Sequence, residues 1–228
     1  CALPILDLFF KFGNQWQYKY RCRNIDAWLT TGVIFPVGNP YEINNPASII
    51  LGGNRHWGVY VGTQGHAEVR EDLHIDILFR AIKRLSRTFN CARMPASNEV
   101  FDYGAIVGPL YVDPGFTFAF SGFLILEDFS YDGLGAKLGY TVIAHLDDKL
   151  VDKRNDQTVP SNLKSGMDLS SWGIEFVRAC VFYDFAKKLD YPSSLPSLSL
   201  YLDVPVHSTI SKRSVKTYAI SLAIETNF

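Results

Sequence analysis

Tyr218-Ala219-Ile220-Ser221-Leu222-Ala223-Ile224-Glu225-Thr226-Asn227-Phe228 is the stretch that decides the fold class. Successive side chains on a strand point to opposite faces. Tyr218, Ile220, Leu222, Ile224, Thr226 and Phe228 then form one row, apolar except at Thr226, while Thr217, Ala219, Ser221, Ala223 and Glu225 form a row of small or polar residues. A helix, with its period of 3.6, would mix the two rows. The segment reads as a strand with one face apolar but for Thr226.

The same alternation extends upstream. Leu198, Leu200, Leu202, Val204 and Val206 alternate with Ser199, Tyr201, Asp203, Pro205 and His207, and the polar segment Ser208–Ser214 then predicts a hairpin into the last strand. Pro205 lacks a ladder donor, so the pairing is expected to be irregular near that strand's end. In Ala136–Leu146, Ala136, Leu138, Tyr140, Val142, Ala144 and Leu146 oppose Lys137, Gly139, Thr141, Ile143, His145 and Asp147, after the turn signal Asp132-Gly133-Leu134-Gly135. Phe116–Leu126 alternates as far as Gly122, where the pattern shifts and predicts a bulge or bend. In Ser171–Phe185, Trp172, Ile174 and Phe176 alternate with Gly173 and Glu175, which puts Arg178 on the apolar row. That arginine therefore marks either a rim position or a register switch.

The first half is less regular. Trp28–Phe35 and Trp57–Thr63 read as strands around a Gly-, Pro- and Asn-rich loop, Pro36–Asn54, and Asp72–Ser86 reads as a further strand that also fits a helical face. Asp147–Ser170 is long, charged and read as a loop; His56, His66 and His74 are read as solvated loop histidines. The 228 residues are taken as one β-barrel domain, with residues 1–15 as an incomplete first strand or a periplasmic segment. About ten strands of roughly 9–11 residues fit this length.

Composition narrows the function classes. Hydrophobic residues are 47%, charged residues 20% and the net charge is −1. That is too apolar for a disordered chain and lacks the basic excess of a nucleic-acid binder. Aromatic residues are 14%, mostly Phe and Tyr, which favour strands and form the interfacial girdles of membrane barrels. No apolar run approaches the ~20 residues of a membrane helix, so a membrane location requires a closed barrel. Cys1, Cys22, Cys91 and Cys180 have neither redox nor zinc-site spacing. The start at Cys1 reads as a cut within a longer chain in preference to a lipidated terminus.

The final strand resembles the C-terminal assembly signal of bacterial outer-membrane β-barrels, carried here by Ile220, Leu222, Ile224 and Phe228 and departing from it at Thr226. Gly32-Val33-Ile34-Phe35-Pro36-Val37-Gly38 is similar to a Gly-x-x-x-Pro-x-Gly strand end of porin-like outer-membrane transporters for hydrophobic and aromatic compounds. The resemblance implies an antiparallel transmembrane β-barrel of about ten or more strands. It implies a place in the Gram-negative outer membrane, and as partners membrane lipid, the outer-membrane assembly machinery and a small-molecule solute. No cofactor, metal or nucleic acid is expected.

In such a barrel the polar rows line the interior. Lys137, His145, Glu175, Tyr201, Asp203, His207 and Glu225 are then the expected lumen residues, either around a polar passage without strong charge selection or as the hydrogen-bonded filling of a narrow barrel. Ser199, Ser221 and His207 lie on the inner rows of neighbouring strands, yet no GxSxG elbow surrounds any serine, and the chain is not expected to be an enzyme. The rivals are a non-conducting structural or adhesive surface barrel and a soluble β-sandwich binding domain.

Overall fold

The computed structural model describes residues 7–20, 23–36, 55–96, 99, 104–163, 171–185, 196–206 and 218–225. Among them are twelve strands: β1 (Asp7–Tyr20), β2 (Arg23–Pro36), β3 (Gly58–Arg70), β4 (Leu73–Arg84), β5 (Arg87–Met94), β6 (Ile106–Asp113), β7 (Phe116–Leu126), β8 (Leu134–His145), β9 (Lys149–Asp152), β10 (Trp172–Asp184), β11 (Ser197–Val206) and β12 (Ala219–Glu225). Nine form one sheet in the order β1-β2-β3-β4-β7-β8-β10-β11-β12, and β5-β6-β9 form a second. Every strand pairing in both sheets is antiparallel. The protein is all-β and antiparallel, as its alternation predicts.

The large sheet has two chemically distinct faces, because residues directly opposite in an antiparallel ladder share a face. One row runs Leu29, Thr63, Phe79, Phe120 and Val142; a parallel one runs Val181, Leu200 and Leu222. This apolar face is open: Ile77, Leu138, Val181, Leu200 and Leu222 are all 50% exposed or more. The other face is mixed and crowded, with Tyr60, Ser121, Thr141, Cys180 and Ser199 buried.

Two regions depart from the sequence expectation. The register runs unbroken through Gly122 on both sides, so no bulge lies there. The apparent shift arises because the two faces each carry an aromatic. Phe120 lies near Gly122 on the apolar face, whereas Phe123 turns to the mixed face and covers Gly139. Irregularities occur instead at Glu68/Arg70 and Phe89/Ala92. The register of β10 is likewise continuous, and its large residues Trp172, Ile174 and Phe176 lie with Arg178 on the mixed face, opposite His145, Ile143, Thr141 and Gly139. Arg178 is therefore neither at a bulge nor on the apolar face. Pro205 also sits in an unshifted register with Phe176, and among the described residues the pairing of β11 with β12 runs from Asp203↔Ala219 to Ser197↔Glu225.

The ends of the sheet differ. One end carries the connections 21–22, 71–72, 127–133 and 185–196; the other carries 37–57, 85–115, 146–171 and 207–218. The turn 127–133 ends on Gly133, whose φ of 85° suits a residue without Cβ, and its N–H donates to Asp128 Oδ1 at 2.9 Å. The three-stranded sheet is built from the longer connections, with β5 and β6 between β4 and β7 and β9 inside the segment expected to be a loop. It has its own core of Met94, Ile106 and Leu110. The Ser208–Ser214 hairpin connection lies outside the described residues.

Candidate lumen surface

Two rows cross the mixed face of the large sheet. One follows Asp26, His66, Asp76, Phe123, Gly139, Arg178 and Asp203; the next follows Glu68, His74, Ile125, Lys137, Cys180, Tyr201 and Ser221. Residues more than a hundred positions apart in sequence thus meet on one surface.

Beyond Asp26, the charges on these rows lie in pairs. Arg178 donates from Nε to Asp203 Oδ1 at 2.7 Å and from Nη2 to Oδ2 at 2.8 Å, a bidentate fork. Its guanidinium also lies 5.6 Å from the Phe176 ring centre and 5.7 Å from that of Tyr201. His66 Nδ1 donates to Asp76 Oδ1 at 2.6 Å and its ring stacks on His74 at 5.2 Å. Lys137 Nζ lies 3.9 Å from Asp76 Oδ2 and 4.5 Å over the Phe123 ring. Glu68 accepts from Asn24 and faces Arg23 at 3.5 Å. Between the charges, Thr141 donates to Ser121 at 2.9 Å. His66, Asp76, Lys137, Arg178 and Asp203 keep 20–35% of their side-chain surface exposed, so each pair is partly screened and contributes modestly.

At the end with the long connections, His145 bridges Thr117 at 2.8 Å and Asp148 at 3.0 Å and stacks on Trp172. His56 is buried, with Nδ1 donating to the Leu85 carbonyl at 2.8 Å. Burial holds its pKa below the usual histidine value, and Arg84 and Arg87 nearby act in the same direction. Asp152 of the small sheet is pulled down to about 2 by the Arg154 guanidinium, with which it forms a fork, and by Ser161.

Of the expected lumen residues, Lys137, His145, Tyr201 and Asp203 share the mixed face. Glu175 does not: it pairs with Val142 and Val206 on the apolar face, where it is 1% exposed. Both rows of β10 are rich in apolar residues, so its facing follows from its neighbours rather than from its own pattern. Glu225 ends β12 opposite Ser197, and its side chain, like His207 and Phe228, lies outside what is described. Ile220, Leu222 and Ile224 are on the apolar face, 66–76% exposed.

His56 is buried, and His66 and His74 are strand residues, not the loop histidines expected. Sequence reading missed His66, Asp76, Phe123 and Arg178 as members of this surface; the alternation of Leu73, Ile75, Ile77 and Phe79 around Asp76 was the available signal. Among the described residues no group of three His, Cys, Asp or Glu side chains could hold a metal ion.

The apolar face has its own organisation. Of the Arg, Lys, His, Asp and Glu positions that register places on it among the described residues, Arg23, Arg70 and Lys83 lie at or next to a strand end, with Arg23 reaching round to Glu68, and Glu175, three residues further in than the start of its strand, is 1% exposed. Aromatics stand at both ends, where Phe35 packs edge-on against Trp57 at 4.7 Å with Phe116 exposed nearby and Trp16, Tyr18, Phe129 and Tyr131 are exposed at the opposite end, and Phe79 and Phe120 are exposed between them in mid-strand. No described helix is long and apolar enough to cross a membrane. A comparison of the chain with protein-family models and with curated protein sequences found no match.

Proposed function

We propose that this chain forms the wall of a bacterial outer-membrane β-barrel through which small solutes pass passively. One observation carries the reading: an exposed apolar face, bounded by aromatics and by the few charges at the strand ends, backs a crowded face of paired charges. A lipid-facing barrel wall requires that division. In water, so large a contiguous apolar patch would be a liability. The strand lengths fit as well, since twelve residues at ~3.4 Å rise and a tilt of ~45° span roughly the hydrocarbon thickness. Connections of 12 to 31 residues at one end and of 2 to 12 at the other are in keeping with the two unequal sides of such barrels.

The solute-facing surface is then the mixed face, with Lys137, Asp76, Arg178, Asp203 and Tyr201 at its centre. Charges of both signs, each near a partner, favour polar solutes without strong discrimination by sign. The test is fractionation of the native protein from the cell envelope, followed by single-channel recording in planar bilayers. Recovery in the outer-membrane fraction with discrete, weakly ion-selective conductance is the expected result. Recovery as a detergent-independent soluble protein would sink the reading in favour of a soluble binding domain. Membrane recovery without conductance would leave a structural barrel.

A further inference from the structure

The directions of the two outermost strands pose a closure problem. β1 runs from the end with the long connections, where Asp7 faces Pro36, to the short-turn end, where Tyr20 faces Arg23. β12 runs the same way, from Ala219 opposite Asp203 to Glu225 opposite Ser197. Each connection within the large sheet leaves and returns at one end. Such a connection can add spanning strands only in pairs, so an odd number lies between Asp7 and Glu225 whatever the connections contain. An all-antiparallel closed barrel needs an even number.

Neither obvious partner resolves this. Joined directly, β1 and β12 would run parallel, and they are not paired in the sheet. A second copy in the same membrane orientation presents the same two directions and also meets them in parallel. Nor is the β12 edge protected as free edges are: Ala219–Glu225 contains no Pro or Lys, and its Ile220, Leu222 and Ile224 are exposed beside those of β11. Unpaired backbone groups in hydrocarbon cost several kcal/mol each.

We propose that an odd number of strands from outside Asp7–Glu225 lies between β12 and β1, in the smallest case one strand of the same polypeptide preceding β1. It runs from the short-turn end to the end with the long connections. There it meets the start of β1, to which one more long connection joins it. Its residues alternate, apolar beside Ile220, Leu222 and Ile224, and small or polar beside Ser221. The inference rests on the membrane-barrel reading.

The experiment compares three proteins refolded into lipid vesicles: the 228-residue chain, the same chain preceded by one added strand, and the same chain preceded by two. The added strand is a second copy of Arg23–Pro36, which already pairs antiparallel with β1. With one strand added, amide exchange across Ile220–Ile224 is expected to slow by about 100-fold, and a heat-dependent shift in gel mobility appears; with none or two, neither does. Exchange and mobility that are alike in all three overturn the inference. So does a disulfide in the 228-residue chain between Leu222→Cys and either Asn14→Cys or Trp16→Cys, within one chain or between two. In each of these cases the protein is still membrane-inserted, and only this inference fails. Protein that stays soluble in all three forms overturns the membrane reading and this inference together.

Discussion

Leu200→Arg separates a lipid-facing sheet from a water-facing one by a wide margin. Leu200 lies within β11 on the apolar face, opposite Val181 and Leu222, and is 52% exposed. If that exposure is to water, the substitution removes little: half of a leucine is already solvated, and surface changes of this kind fall within about ±0.5 kcal/mol. If the exposure is to lipid, two costs add. The apolar contact of the exposed half is lost, about 1–1.5 kcal/mol from the ~3 kcal/mol of a whole leucine, and a guanidinium is placed in hydrocarbon. Measured totals for arginine near a bilayer midplane are about 2–4 kcal/mol, a roughly 30- to 700-fold shift in the folding equilibrium. The assay is reversible guanidinium unfolding in phospholipid vesicles, followed by tryptophan fluorescence. Tyr131→Arg serves as the control: it lies in the short turn 127–133, where the cost should fall to about 0–1 kcal/mol. A Leu200→Arg change within 0.5 kcal/mol of wild type, or equal to that of Tyr131→Arg, would refute the assignment of this face to lipid.

Three further outcomes are expected. A Cβ at Gly139 would lie 2.0 Å from Phe123 Cδ1, so Gly139→Ala should displace the ring from under Lys137 and cost about 1–3 kcal/mol; in a Phe123→Ala background most of that cost should vanish, as a double-mutant cycle would record. Arg178→Ala should destabilise by about 1–3 kcal/mol, because the Asp203 carboxylate loses a charged fork, and Arg178→Asp with Asp203→Arg should recover part of it in the same unfolding assay. Asp152, whose carboxyl sits at about 2 rather than the usual 3.8, has a depressed folded-state pKa, so its contribution is present above about pH 4 and is lost as the pH falls toward 2. Amide exchange at Arg154 should accelerate across that window in wild type, and Asp152→Asn should flatten the dependence.

The parts of the fold that were legible in the sequence are those where one strand carries its own evidence. The alternation of Leu198, Leu200 and Leu202 with Ser199, Tyr201 and Asp203 reports a face directly, and the structure pairs that strand accordingly. Asp132-Gly133 announced the turn before β8, since Gly133 does adopt a positive φ. Asp72–Ser86 resolves to the strand β4, because pairing on both sides settles a pattern that periodicity left open. The small sheet was not legible: β9 is four residues long, too short for an alternation signal, and its partners lie on a distant part of the chain.

By itself the sequence determined that this is an all-β chain with long alternating strands, because a two-residue period is a local property of extended backbone and survives without knowledge of any neighbour. Which face each strand turns inward was settled only where its two rows differ in polarity. On β10 they do not: Trp172, Ile174 and Phe176 compete with Val177, Ala179 and Val181. Only its ladders with β8 and β11 send Arg178 to Asp203 and leave Glu175 among the valines. The pairing of charges across the mixed face was likewise decided by tertiary structure, because Lys137 and Asp76, or Arg178 and Asp203, meet through register between strands, which no local pattern records.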